Sequence, residues 1–285
     1  MSVNIYPIRT GLVKVKKAQK IRKPGGLIRV LIDKEWTDWL PIYAWVIEHP
    51  EGIFIVDTGE TARTANDPAY FPKWHPYYRS SVKTKINAED EIGPQLERLG
   101  ISPNDIKKVV LTHFHTDHAG GLHHFKGIEI LVSKKDFKLA SSLSGRLLGY
   151  LPHHWPKDFQ PFPVLYNNEK FGPFEKSHRL TKAGDIFIIP TPGHTPNHQS
   201  VVVKTDNLLF FLAGDTTYSQ QILLDDLPDG ISPFVKTTLR TMEKIRSLAE
   251  EYPMVYLPSH DPYSEERLVQ QKVLEVQEKN VESMV

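Results

Sequence analysis

The 285-residue chain contains no cysteine. That absence excludes structural disulfides, thiolate metal ligands and a cysteine nucleophile together. It leaves the compartment open, since a chain without thiols tolerates either redox state. Charge of one sign is missing too: 35 Lys and Arg face 34 Asp and Glu, a formal charge of +1. Nucleic acid and anionic membranes are therefore not expected partners. No apolar run approaches the ~20 residues of a membrane span. The opening Met-Ser-Val-Asn-Ile-Tyr-Pro-Ile-Arg lacks the apolar core of a secretion signal, so a soluble cytoplasmic protein is expected. No repeat or low-complexity linker divides the chain, and residues 1–285 are expected to form a single domain.

Hydrophobic residues make up 40 % of the chain, enough for a sizeable core. Residues 44–48 and 53–56 are short apolar runs joined by His49-Pro50-Glu51-Gly52, a hairpin signal. From 61 to 87 the pattern breaks into a long loop in which Pro68, Pro72 and Pro76 alternate with aromatics. Residues 147–173 repeat that character. Between these loops, Ile92, Leu96 and Leu99 are spaced as one helix face, stopped by Gly100. Strands are expected at 108–112 and 129–133, and a helix at 135–143. Further strands are expected at 185–189, 200–204, 208–212 and 254–257. Val235, Leu239, Met242, Ile245 and Leu248 step by three or four, the signature of an amphipathic helix. A final helix is expected over 265–278. The basic stretch Lys14, Lys16, Lys17, Lys20, Arg22 and Lys23 is expected to be the solvated face of a hairpin.

The densest chemical signal is His113-Phe114-His115-Thr116-Asp117-His118, followed by Ala119-Gly120-Gly121. Three imidazoles and a carboxylate within six residues offer neutral nitrogen and anionic oxygen donors, a set suited to Zn, Fe, Mn or Co. His113 and His115, as alternate residues of an extended segment, can face one ion while Asp117 and His118 turn toward a second. Further candidates follow predicted strands: His194 in Thr191-Pro192-Gly193-His194, Asp215 after Ala213-Gly214, and His260 after Pro258-Ser259. Loops gathered at one sheet edge are where a rigid scaffold collects ligands from distant parts of a chain.

These elements, with Val56-Asp57-Thr58-Gly59, resemble the metallo-β-lactamase superfamily over nearly the whole chain. The resemblance implies an α/β fold, a four-layer αβ/βα sandwich with metals at one edge of two packed sheets. It implies that His113, His115 and His194 hold one divalent ion, that Asp117, His118 and His260 hold the other, and that Asp215 bridges them. Zinc is the first choice, with Fe, Co or Mn as alternatives. Asp57 would orient a ligand or loop. Asp215-Thr216-Thr217-Tyr218 further resembles the N-acyl homoserine lactone lactonases, in which the tyrosine hydroxyl contacts the lactone. A small-molecule lactone is thus the implied substrate, opened by a water-derived nucleophile held between two ions. Tyr218 would stabilise the oxyanion and Asp117 would protonate the departing ring oxygen. Thr116 stands where several of these lactonases carry an aromatic.

For the acyl chain, the aromatic loops offer Phe71, Trp74, Tyr78, Leu148 and Phe159. The same loops would equally suit a homodimer interface. His153, His154 and Trp155 are candidates for the substrate entrance, and His75 is ambiguous. His123 and His124 read as surface groups or as supports of the ligand set. Two rival activities use a similar motif. Thioester hydrolysis of the glyoxalase II type calls for a C-terminal helical extension, and only about 25 residues follow His260. A mononuclear iron persulfide dioxygenase needs two His and one Asp, fewer than the seven ligands present.

Overall fold

The computed structural model describes residues 3–276. Among the described residues twelve strands form two sheets. In chain order, the first sheet takes β1 (Asn4–Val15), β2 (Leu40–His49), β3 (Gly52–Val56), β4 (Val82–Lys85), β5 (Ile106–Val110), β6 (Ile130–Val132) and β7 (Pro161–Pro163). The second takes β8 (His178–Arg179), β9 (Ile186–Pro190), β10 (Gln199–Lys204), β11 (Leu209–Gly214) and β12 (Met254–Pro258). The spatial orders are β4-β1-β2-β3-β5-β6-β7 and β12-β11-β10-β9-β8. The pairs β3–β5, β5–β6, β6–β7 and β11–β12 are parallel, while the remaining pairs are antiparallel.

The two-residue period of the strands explains how the layers stack. On β2, Tyr43, Trp45 and Ile47 enter the space between the sheets, while Ala44 and Val46 face helices on the outside. On β11, Phe210 and Leu212 point inward and Leu209, Phe211 and Ala213 point outward. Strands buried on both faces read as continuous apolar runs, which is how β2 and β11 appear. Outside the second sheet lies the helix Val235–Glu251, whose Met242, Ile245 and Leu248 pack on Ile189, Val202 and Phe211. Outside the first, the helix Ile92–Arg98 contributes Ile92 and Leu96. Helix, sheet, sheet and helix make the four-layer sandwich expected. Among the described residues no helix is long and apolar enough to cross a membrane.

Several expected elements differ from those observed. The stretch 61–87 holds two short helices, Arg63–Asn66 and Pro76–Ser80, and then β4. The helix expected at 135–143 stops at Ala140, and a second turn, Leu143–Leu147, begins under a new cap, Ser142 Oγ accepting from the Gly145 N–H at 3.0 Å. The final helix covers only Ser264–Gln270. Beyond it Leu274 is buried against the second sheet and its N–H donates to the Met254 carbonyl at 2.7 Å, a tertiary contact that overrides helix propensity. Residues 277 and 278 of that expected helix lie outside the described residues. The basic N-terminal stretch is not a hairpin face. It is the end of β1 followed by the short helix Lys17–Lys20, with Lys16 buried and its ammonium 3.7 Å from the Trp36 ring centroid.

The packing between the sheets generates one expectation. Phe54 is fully buried in that layer, and truncation of a core phenylalanine costs about 3–5 kcal/mol. Phe54→Ala is therefore expected to lower unfolding free energy in urea by that amount. The half-exposed Phe162→Ala should change it by less than about 0.5 kcal/mol. Equal effects of the two substitutions would contradict the layer assignment.

Candidate metal centre

Parallel strands deliver their ends to one edge, and the candidate ligands sit just past those ends. β3 ends just before Asp57, β5 runs into Thr112 and His113, β11 ends at Gly214 before Asp215, and β12 ends before Ser259 and His260. Tight turns need backbone freedom here. Gly214 has φ +57°, and a Cβ there would lie 2.6 Å from His198 Nε2; Gly59, φ +68°, would place one 2.1 Å from Thr10 Oγ1.

All seven candidates meet at this edge in two overlapping groups. His113 Nε2 lies 2.9 Å from His115 Nδ1, which lies 3.0 Å from His194 Nε2. On the other side, His260 Nε2 stands 3.3 Å from Asp117 Oδ2 and 3.3 Å from Asp215 Oδ1, and His118 Nε2 is 3.1 Å from the same Asp215 Oδ1. The second oxygen of Asp215, Oδ2, is 3.3 Å from His194 Nε2. One carboxylate thus faces both groups with different oxygens. His118 Nε2 and Asp215 Oδ1 are buried without a hydrogen-bond partner.

The outward ring nitrogens explain which way the lone pairs point. His118 Nδ1 donates to Asp57 Oδ2 at 2.8 Å, His194 Nδ1 to Asp229 Oδ2 at 3.2 Å, and His260 Nδ1 to the Pro41 carbonyl at 2.8 Å. Thr112 Oγ1 donates to Asp57 Oδ2 at 2.9 Å, so it accepts from His113 Nδ1 at 3.1 Å. With Nδ1 protonated, each Nε2 presents a bare lone pair to the centre. His115 is turned the other way, Nδ1 inward, its ring stacked on Tyr150 at 5.1 Å. Burial opposes charge on His260, yet Asp215 and Asp117 hold its pKa up at about 10. Burial and the neighbouring His194 push His115 down to about 3. Burial would raise Asp117, but His118 and His260 bring it to about 2. Imidazole nitrogens and ionised carboxylates aimed at common points fit divalent cations, which would displace the proton that Asp215 and Asp117 hold on His260, and the near 3 Å spacing is close to the ~3.3 Å between tetrahedral ligands at ~2.0 Å from zinc.

A cavity opens onto the cluster and receives Asp117, Tyr218, Tyr78 and Leu148 of the residues singled out from sequence. Tyr218 stacks on His260, ring centroids 5.4 Å apart, and its hydroxyl accepts from Gln19 Nε2 at 2.8 Å. The other acyl-chain candidates lie elsewhere. Phe71 is stacked behind Tyr78 at 4.5 Å, Trp74 is 59 % exposed, and Phe159 packs with Phe114, Phe137 and Trp155. His154 stacks on Tyr70 at 3.9 Å away from the cavity, and Trp155 belongs to the Phe159 cluster. His75 does line it, bonded through Nε2 to the Leu147 carbonyl at 3.1 Å, which ties the two long loops together.

Four participants escaped the sequence reading. Gln19 holds Tyr218, and Asp229 holds His194. Buried His198 accepts the Asp215 N–H at 3.1 Å. Glu60, pushed up to about 8 by burial and by Asp117, lines the cavity wall. Only His198 carried a signal, four residues beyond His194 in the same turn.

Two facing sheets with a histidine–carboxylate cluster at their shared edge define a class, the αβ/βα metalloproteins. The chain belongs to the metallo-β-lactamase superfamily, whose family model matches residues 37–260. That membership implies binding of divalent metal, and the cluster is where the donors fit it. The chain is 29 % identical over 268 residues to N-acyl homoserine lactonase AttM of Azorhizobium caulinodans, covering 91 % of this chain and 94 % of the relative. Its fold is similar to that of an N-acyl homoserine lactone hydrolase with N-hexanoyl-L-homoserine at the catalytic metal centre. The TM-score is 0.73 at 20 % identity, over 93 % of this chain and 96 % of that one. AidC, a dizinc quorum-quenching lactonase, aligns with a TM-score of 0.64 at 17 % identity, over 92 % of this chain and 88 % of AidC.

Asp57 offers a test of how the centre is supported. Its Oδ1 accepts the Thr112 N–H at 2.7 Å while Oδ2 accepts from both Thr112 and His118. Loss of such an outer partner commonly weakens metal affinity 10–100-fold. Asp57→Asn is expected to fall in that range when zinc is competed with a chelator. Wild-type affinity would restrict Asp57 to ending its strand.

Proposed function

We propose that the chain opens the lactone ring of N-acyl homoserine lactones with two zinc ions. His113, His115 and His194 would hold one, Asp117, His118 and His260 the other, with Asp215 shared. The observation that carries the reading is the pairing of Asp215, whose two oxygens face the two groups, with Tyr218 at the cavity wall beside it. The lactonase relative and the lactonase-like fold support it. Bound in this cluster, divalent ions supply Lewis acidity and bring the pKa of a coordinated water to ~7.

The chain's own residues do the rest. Gln19 donates to the Tyr218 oxygen, so the tyrosine's proton is free to point into the cavity. Burial and then Asp215 raise the Tyr218 pKa well above its ordinary value, which keeps that proton in place. The phenol donates to the lactone carbonyl oxygen as negative charge develops there. Asp117, 20 % exposed and open to the cavity, takes a proton from the attacking water and returns it to the ring oxygen as the C–O bond breaks. The product carries a carboxyl group that ionises, so each turnover releases a proton. The cavity's far wall is apolar, formed by Val13 and Val15 of β1, Leu27 and Leu31, Val82 and Leu148. An acyl chain offers it only methylene groups, each worth ~0.8 kcal/mol on burial, or roughly fourfold in affinity.

Proton release from homoserine lactones of graded acyl length, beside a thioester, tests the assignment. Lactone turnover is expected, with KM falling as the chain lengthens until the apolar wall is covered. Turnover of the thioester alone would overturn the reading. Tyr218→Phe should retain its metal and lose up to ~10²–10³ in kcat. Unchanged kcat would make Tyr218 a packing residue.

A further inference from the structure

His123 and His124 end the short helical turn Gly120–His124 that follows the ligand motif. Both rings turn to a single carboxylate oxygen, Glu91 Oε2, which lies 3.0 Å from His123 Nε2 and 2.7 Å from His124 Nε2. Nothing in the lactonase reading uses these three residues.

Hydrogen-bond arithmetic shows what the arrangement requires. His123 Nδ1 is 3.2 Å from the Gly120 carbonyl, an atom that can only accept, so Nδ1 carries the proton. In the neutral ring, Nε2 is then a lone pair facing a carboxylate oxygen. Two acceptors at 3.0 Å repel unless a proton, or a metal cation in its place, lies between them. A ring N–H given to a backbone carbonyl, with the opposite nitrogen aimed at a shared point, is the orientation of a metal-bound imidazole. Glu91 is anchored in the same fashion. Its Oε1 accepts from the Ala62 N–H at 2.8 Å and from Thr61 Oγ1 at 3.0 Å, leaving Oε2 for the shared point. The three donor atoms lie within 4.8 Å of one another.

The local chain supports the placement. The two rings sit 4.0 Å apart on one side of the turn. Gly93 makes room for His124: a Cβ there would lie 2.3 Å from its Nδ1. His123 is 48 % exposed, so water can complete the coordination. Two imidazoles, one carboxylate and an open position are a donor set for zinc-class cations, not for calcium or magnesium.

We propose that Glu91, His123 and His124 form a second divalent-metal site, selective for zinc-class cations and separate from the cluster around Asp215. Through Glu91 the ion clips Thr61 and Ala62, at the start of the 61–87 segment, to the turn that follows the ligand motif.

The test is titration of the holoenzyme with zinc chloride, after weakly held metal has been removed by dialysis. Wild type is expected to take up one additional equivalent. His123→Ala, a substitution at an exposed ring that leaves the core untouched, is expected to weaken that equivalent at least tenfold. Gly93→Ala, which displaces His124, should do the same. Asp215→Asn should retain it. Identical uptake by wild type and His123→Ala would overturn the proposal and leave the carboxylate paired with protonated imidazoles. Loss of the additional equivalent in Asp215→Asn would also overturn it, by placing that metal in the main cluster.

Discussion

Burying carboxylates and imidazoles with their lone pairs turned toward one another costs free energy unless cations lie among them. The edge of this sandwich is built around that constraint. Asp215 faces both ligand groups, and four of the five histidines are locked by partners on the far side of the ring. The partners come from separate places: Asp57 after β3, Thr112 after β5, Asp229 before the long helix, and Pro41 in β2. Strand register therefore sets ligand geometry. Because the donors are useful together only when the sheets are packed, metal affinity and folding free energy are linked.

The proposed function divides hydrolysis and substrate selection between different parts of the chain. The edge supplies donors from strand ends, held by buried hydrogen bonds. The wall that would meet an acyl tail under the proposed function is assembled from β1, the segment around Leu27 and Leu31, β4 and the turn at Leu147 and Leu148. His75, bonded to the Leu147 carbonyl, and Tyr78, bonded to the Gly149 carbonyl, hold the two long loops against each other. Under that proposal, substitutions in this wall would alter acyl-chain preference separately from the donor cluster.

How much was legible in advance follows from how local each feature is. Six consecutive residues, His113 to His118, state their donor chemistry openly, and His194, Asp215 and His260 each follow an apolar run that reads as a strand. The layer order was legible only through the family resemblance that these motifs carry, since apolar runs such as 44–48 and 208–212 mark strands without saying which sheet each one joins. The acyl wall was not. Aromatic, Pro-rich loops point to Trp74 and Phe159, but one faces solvent and the other, partly buried, packs against a core cluster. Val13, Leu27 and Leu31 are ordinary aliphatics whose place depends on tertiary packing. Gln19, Asp229 and Glu60 stand alone among common polar residues, and only the fold reveals what each one touches. The final helix failed for a similar reason, since Leu274 gains more from the second sheet than from another helical turn.

Asp215 is the most direct point at which to test the account, because its two oxygens face the two halves of the cluster. A neutral amide there cannot offset the repulsion between two divalent ions a few Å apart. Elemental analysis of wild type and Asp215→Asn, after removal of weakly held metal, decides the matter. The account predicts two tightly held ions per wild-type chain, with at least one lost from the variant together with lactone hydrolysis. Two tightly held ions in Asp215→Asn would contradict the shared role of this carboxylate.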